Sequence, residues 1–240
     1  MRPERLFHLP MVSAIALVWA VLALLGCGSD EPVQTVVTRT ESFTFLDMGV
    51  NTALTEALRE PLANRLGSVA EERRGLLDLT LSDDGFMDRH LPVLAGLNLD
   101  LNPASGERRE HDIVRLTYRY PVKQTPAFNL VQLVFYGSTR RPLVFRIHAN
   151  QAGSEILAAL TEKYGPPETI EAKNDPDTHY RLWRRSGDVL SAVSSLDRFG
   201  DPEYLIAFYF TENLKDLVRA EKEAAAQVEQ ARRKAGKSAF

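Results

Sequence analysis

The sequence predicts an α+β fold: an antiparallel sheet with helices packed on one face and a projecting C-terminal helix. Three observations lead to this prediction. Residues 113–120 alternate between large apolar and polar side chains, which is typical of a half-buried strand. Further β-branched and aromatic segments follow, separated by short turn sequences. A last helix begins near Thr211, and beyond Ala220 it is rich in alanine and charged side chains, which favour a part that projects into solvent.

The first part of the domain is predicted to be mainly helical. Residues 43–46 have the aromatic and β-branched content of a short strand. A helix follows, and Pro61 is expected to kink it or to begin a second helix that ends near Gly67, because proline lacks an amide donor. Residues 76–81 fit either a strand or a helix. The apolar positions of residues 87–97 predict a third helix.

The second part of the domain is predicted to hold most of the sheet. Residues 128–136 are apolar at consecutive positions, so this strand is expected to be central and covered on both faces. A helix is expected to begin at Ser154 and to stop at Gly165. The remaining strands are predicted at residues 143–147, 169–172, 179–185, 188–194 and 203–210.

We interpret residues 43–210 as one domain, with residues 27–42 as a polar tether before it and residues 211–240 as a helix and tail after it. Two subdomains divided near Asn150 are the alternative. Beyond Ala220 the last helix has few large apolar residues, so we expect that part to contact a partner instead of the core.

The N-terminus has the layout of a secretory signal peptide over residues 1–26. Arg2 and Arg5 give it a positive start, and an apolar run covers residues 11–25. A membrane-spanning helix needs roughly 20 apolar residues, so this run is short for a permanent anchor. The single cysteine of the chain, Cys27, follows the run directly.

Residues Leu24-Leu25-Gly26-Cys27 resemble the lipobox of bacterial lipoproteins. The resemblance implies cleavage before Cys27, lipid on that cysteine, and anchoring to a membrane of the cell envelope. In a Gram-negative host it also implies the outer membrane, with the domain facing the periplasm, because Gly28 is not the aspartate that marks inner-membrane retention. The alternatives are an uncleaved signal anchor and a secreted protein with a free thiol.

A second resemblance concerns the body of the chain. The helix that ends in Tyr164-Gly165-Pro166, followed by a strand carrying Trp183, resembles small lipoproteins of the outer-membrane assembly type. The likeness covers residues 154–210. It implies helices packed on a small antiparallel sheet.

The acidic and histidine clusters do not have the spacing of known metal sites. Asp83, Asp84, Asp88 and His90 lie close in sequence, but a calcium loop alternates its oxygen ligands and ends in a glutamate. No histidine pair has the spacing of a zinc-binding helix, and no nucleophile elbow is present. We therefore predict no metal, no cofactor and no catalytic residue that a motif would identify.

One strand carries a candidate partner-binding face. Arg181, Trp183 and Arg185 alternate along residues 179–185 and would share a face. A tryptophan between two arginines suits an anionic or glycan partner, because indole is amphipathic and guanidinium groups pair with anions. Alternatively, Trp183 packs under a helix while the arginine stems extend outward.

These observations favour a membrane-anchored envelope lipoprotein that acts as a non-enzymatic binding or assembly module. The expected partners are the membrane, through lipid on Cys27, and an envelope protein or glycan. Nucleic acid is not expected, because the formal net charge is −3 and the expected location is the cell envelope. The alternative is an envelope hydrolase or metal-dependent enzyme whose site is assembled from residues distant in sequence.

Overall fold

The computed structural model describes residues 38–81, 85–103, 109–119, 128–149, 152–173 and 175–238. From Arg39 onward these residues belong to one compact unit. The helices are α1 (Glu56–Leu66), α2 (Phe86–His90), α3 (Pro92–Leu101), α4 (Gly153–Tyr164) and α5 (Thr211–Ser238). The strands are β1 (Val69–Gly75), β2 (His111–Arg119), β3 (Leu130–Tyr136), β4 (Pro142–Ala149), β5 (Glu168–Glu171), β6 (His179–Arg185), β7 (Asp188–Leu196) and β8 (Pro202–Tyr209). The predicted α+β class is confirmed.

The strands form one antiparallel sheet in the order β1-β2-β3-β4-β8-β7-β6-β5. This order consists of two four-stranded meanders joined through their last strands. At the junction β4 pairs with β8, so that Ile147 lies opposite Ile206. Strands from both sides of Asn150 in the sequence therefore share one sheet.

The two meanders begin in the same way. In each, a helix ends at a glycine and an edge strand follows: α1, Gly67 and β1 in the first, α4, Gly165 and β5 in the second. Both glycines have positive φ, +80° and +85°, which side chains larger than hydrogen rarely adopt. Each glycine amide donates to the carbonyl four residues earlier, at Ala63 and Thr161. The chain therefore repeats one arrangement, with α2 and α3 inserted in the first copy.

Helices cover both faces of the sheet, so the prediction that they pack on one face is corrected. In β3, Leu133 and Phe135 point to one core, whereas Val134 and Tyr136 point to the other. The first core includes side chains of α1 and α4, and we call that side the α1/α4 face. The second includes side chains of α2, α3 and α5 and is the α2/α3/α5 face. A sheet whose central strands are apolar on both faces must be covered on both.

Several local predictions change in the structure. Residues 43–46 make only an isolated bridge, from Phe45 to Met48, instead of a strand. Pro61 lies inside α1 and does not divide it. The segment 76–81 is neither helix nor strand, yet Leu77 and Leu79 are buried in a core. The charged edge strand β1 was not predicted, because its exposed side chains show no alternation.

Candidate functional site

The predicted Arg181–Trp183–Arg185 face does not present its tryptophan to solvent. Trp183 is only 5% exposed and belongs to the core beneath α4. Its indole Nε1–H donates to the carbonyl oxygen of Gly165, 2.7 Å away, at the end of that helix. The indole therefore fixes the helix end to β6, and its polar atom is already used.

The two arginines of that strand have separate environments. Arg181 is half-buried and donates from Nη1 to the Ser194 hydroxyl at 2.9 Å. Arg185 is exposed, and its guanidinium lies 5.6 Å from the centre of the Tyr164 ring. The arrangement matches the alternative interpretation, in which Trp183 packs under a helix. Cys27, the predicted lipidation site, lies outside the described residues, as do Asp83 and Asp84.

The first turn of α5 is capped by a buried carboxylate from the sheet. Asp188, at the start of β7, is 2% exposed. Its Oδ1 accepts from the Thr211 backbone amide at 2.9 Å, and its Oδ2 accepts from the Ser42 hydroxyl at 2.5 Å. Burial raises the pKa of Asp188, and the two hydrogen bonds oppose that change.

Replacing Asp188 with alanine should lower the free energy of unfolding by about 2–4 kcal/mol, because it removes a helix cap and leaves two buried donors unpaired. The Asp188→Asn variant should lose much less, since its amide oxygen can still accept from Thr211. Urea unfolding of both variants, with exposed Asp177→Ala as the control, measures this difference.

Comparing Asp188→Asn with the parent protein at several pH values tests the direction of this pKa shift. A raised folded-state pKa means that the folded protein holds this proton more tightly than the unfolded chain. The contribution of Asp188 to stability is therefore largest at acid pH and declines as pH rises from the ordinary value of 3.8 through the raised one. Relative to the parent, the free energy of unfolding of Asp188→Asn should be highest at neutral pH. A relative gain in stability confined to acid pH would show that the pKa of Asp188 is not raised by folding.

A buried asparagine completes the attachment of α5. Asn213 is 2% exposed, and its Nδ2 donates to the carbonyl oxygens of Val50 at 3.0 Å and Pro142 at 2.8 Å. Its Oδ1 accepts from Arg39, which also pairs with Asp216 at 2.5 Å. These bonds hold the start of α5 to the loop before α1 and to the start of β4.

Farther along α5, one more buried contact holds the helix before it leaves the sheet. The imidazole of fully buried His111, on β2, places Nδ1 3.0 Å from both carboxylate oxygens of Glu221. Past Lys222, which pairs with Asp100 at 2.7 Å, residues 223–234 are all exposed. We call residues 223–234 the α5 arm. At 1.5 Å per residue it is about 18 Å long.

The inner side of the arm borders a cleft of about 470 Å³ beside the edge of the sheet. The arm contributes Ala224, Ala225 and Val228, which is 53% exposed, together with the charged side chains of Glu229 and Arg232. The sheet side contributes charges of both signs. Its lining residues there are Arg74, Arg109, Glu110 and Asp112.

A second cleft, of about 490 Å³, lies on the α2/α3/α5 face where those helices do not cover the sheet. Its floor is one row of residues paired across neighbouring strands. The row runs Arg119, Leu130, His148, Leu205 and Val193, on β2, β3, β4, β8 and β7. We call it the His148 cleft. Leu81 borders it, and Ser195 and Glu203 form its outer rim.

Burial and a neighbouring cation control the charge of the imidazole in this cleft. Burial lowers the pKa of His148 below its ordinary value of 6.5, and the Arg146 guanidinium lowers it further, while Glu203 acts in the opposite direction. The neutral ring is thus the dominant form at pH 7. Arg146 is held in place beside it, because its Nη2 donates to the Asp78 carbonyl at 2.5 Å.

The sequence contained a signal for this cleft that the prediction did not use. Phe145 and Ile147 were assigned to a strand, and alternation then places Arg146 and His148 together on its other face. Sequence alone does not show that Arg119 and Glu203 belong to strands near that face. Their approach depends on the strand order.

Within the described ranges, no group of three or more histidine, cysteine, aspartate or glutamate side chains is arranged to hold a metal ion. Among those same residues, no helix combines the length and apolarity needed to cross a membrane. The chain matches no protein-family model, no curated protein and no solved structure.

Proposed function

We propose that this protein is a lipid-anchored module of a bacterial cell envelope that binds another envelope protein through the α5 arm and is not an enzyme. The observation that carries the proposal is the contrast within α5. Its first turns are fixed by buried polar contacts, while residues 223–234 are exposed along their whole length.

The sequence of the arm supports a helix without help from the core. Alanine, glutamate, lysine and arginine are strong helix formers, and Glu229 pairs with Arg233 one turn later at 2.8 Å. A helix that is already ordered loses less conformational entropy when it binds than a flexible segment would. A rigid base with an exposed continuation therefore suits docking.

The charge along the arm indicates the kind of partner. Glu221 and Glu223 stand near its beginning, and Arg232, Arg233 and Lys234 stand at its end. The basic residues lie near the C-terminal end of α5, where the helix dipole favours cations, and they give the arm a basic tip. An acidic surface on the partner would meet that tip, while Val228 and the neighbouring alanines would supply apolar contact.

The proposed anchor leaves the compact unit within reach of one membrane surface. If lipid is attached at Cys27, residues 27–38 precede the compact unit and span at most about 40 Å when fully extended. In a Gram-negative host we place the module at the outer membrane, facing the periplasm. This location rests on the lipobox resemblance and on Gly28.

Truncation after Lys222 should remove partner capture while changing the free energy of unfolding by less than about 0.5 kcal/mol, because residues 223–235 are exposed. Truncation after Ala220 should cost about 1–3 kcal/mol more, since buried His111 loses Glu221. Thermal unfolding measures stability, and photo-crosslinking in cells from position 228 measures capture.

The control for crosslinking is a photoreactive residue at Phe199, which is 74% exposed and lies in the β7–β8 turn. Position 228 should give a specific adduct and position 199 should not. A chain truncated after Lys222 that still copurifies with the same partner would show that the arm is not the binding element.

An enzyme remains the second candidate, and the His148 cleft is the observation that favours it. The cleft combines an imidazole, a carboxylate and a hydroxyl from distant parts of the chain. However, His148 lies on β4 and Ser195 on β7, with β8 between them. Two strand spacings are roughly 10 Å, which is too long for a serine–histidine hydrogen bond. The geometry therefore favours binding over acyl transfer.

A further inference from the structure

We propose that the His148 cleft binds a short dipolar ligand, a peptide of about three residues whose ammonium and carboxylate groups are both free. The site is separate from the α5 arm, so the inference goes beyond the proposed function. It rests on the apolar floor, on two opposite charges on either side of His148, and on the distance between the strands that carry them.

The floor of the cleft offers apolar surface on both sides of a polar group. Leu130 and Leu205 flank His148 in the row, and all three are half-buried. Leu81 borders the same cleft. Partly exposed leucines in a concave surface lose contact with water when an apolar side chain covers them, which favours binding.

Charged residues of opposite sign lie on the two sides of His148 in the cleft. Arg119, on β2, and Glu203, on β8, are exposed and line the cleft. Neither forms an ion pair within the part of the chain that the structure describes. A guanidinium binds a carboxylate through two parallel hydrogen bonds, and a glutamate accepts from an ammonium group. A ligand with both termini free would satisfy both residues.

The distance between these charges sets the size of the ligand. From β2 to β8 there are three strand spacings, roughly 14 Å. Side chains stand roughly perpendicular to a sheet, so the charged groups are separated by about the same distance. A charge-assisted hydrogen bond of ~2.8 Å at each end leaves roughly 8 Å for the ligand between its own charged groups. An extended peptide advances ~3.3 Å per residue, so about three residues fill the gap.

His148 lies on a strand between those of the two charged residues and suits the middle of such a ligand. A neutral imidazole has one donor and one acceptor nitrogen, the same pair of functions that a peptide group requires. Arg146 occupies the next position of β4 on this face, and its bond to the Asp78 carbonyl holds it in place. Burial lowers the pKa of His148 and the charge of Arg146 lowers it further, so both favour the neutral imidazole.

The probe is the tripeptide Ala-Leu-Ala, tested with free termini and in the acetylated, amidated form, against the full chain in detergent micelles. Saturation-transfer NMR detects binding and calorimetry measures the affinity. The free tripeptide should bind. Arg119→Gln and Glu203→Gln should each weaken binding about tenfold, because each removes one charge-assisted contact.

The matched control is Arg181→Gln, which removes an arginine from the opposite face of the sheet and should leave the affinity unchanged. In the Glu203→Gln variant, acetylating the peptide N-terminus should not weaken binding further, because the carboxylate that would bind the ammonium group is already gone. Circular dichroism confirms that each variant is folded. Absence of binding at about 10 mM free tripeptide, equal binding of the blocked form, or an equal loss in Arg181→Gln would each overturn the proposal.

Discussion

Replacing Cys27 with serine is expected to leave an unprocessed, larger precursor in the inner membrane. The resemblance of Leu24-Leu25-Gly26-Cys27 to a lipobox implies that the signal peptide is removed only after lipid is attached to this thiol. A single acyl chain binds membranes only marginally, whereas several chains on one residue anchor stably. Immunoblotting of separated membranes and mass spectrometry of the mature N-terminus measure the outcome.

Two companion variants separate anchoring from sorting. A cleavable secretory signal in place of residues 1–27 should give a soluble periplasmic domain. Gly28→Asp should keep the lipid and move the protein to the inner membrane of a Gram-negative host, because the resemblance assigns the sorting signal to this position. Finding Cys27 unmodified within an intact leader would refute the anchoring proposal.

Replacing Trp183 with alanine is expected to lower the free energy of unfolding by about 3–5 kcal/mol, the usual cost of removing a large buried aromatic ring. The indole is 5% exposed and lies in the core on the α1/α4 face. Its loss would also leave the Gly165 carbonyl without the Nε1–H donor. Urea unfolding monitored by circular dichroism measures the change.

Trp183→Phe keeps an aromatic ring but loses that donor, so it should cost roughly 1–2 kcal/mol. Arg185→Gln, which alters the exposed neighbour on the same strand, should change stability by less than about 0.5 kcal/mol. A folded and stable Trp183→Ala protein that loses binding to an anionic glycan would instead assign this residue to recognition.

Local patterns were enough to predict the described strands of the sheet other than β1. The alternation at residues 113–120 placed Val114, Leu116 and Tyr118 on one face, and their burial in the core of the α1/α4 face confirms this. Gly165 was predicted to stop a helix, and it does. These features depend on neighbours a few residues away, so sequence periodicity records them.

It was harder to predict which helices cover each face of the sheet. Apolar residues on both sides of β3 indicated a central strand, but they did not show which helices lie on which side. That assignment depends on how α2 and α3, inserted between β1 and β2, pack relative to α4. Such packing joins segments far apart in the chain, and no local period encodes it.

The sequence by itself determined the α+β class, most of the strands, and the expectation of a lipid anchor at Cys27. Only the tertiary structure decided that Asp188 caps a helix beginning at Thr211, and that Arg119, His148 and Glu203 line one cleft. Backbone and side-chain preferences act over a few residues, whereas strand order and register arise from non-local pairing that buries both cores at once. A site built from five strands exists only after that pairing is complete.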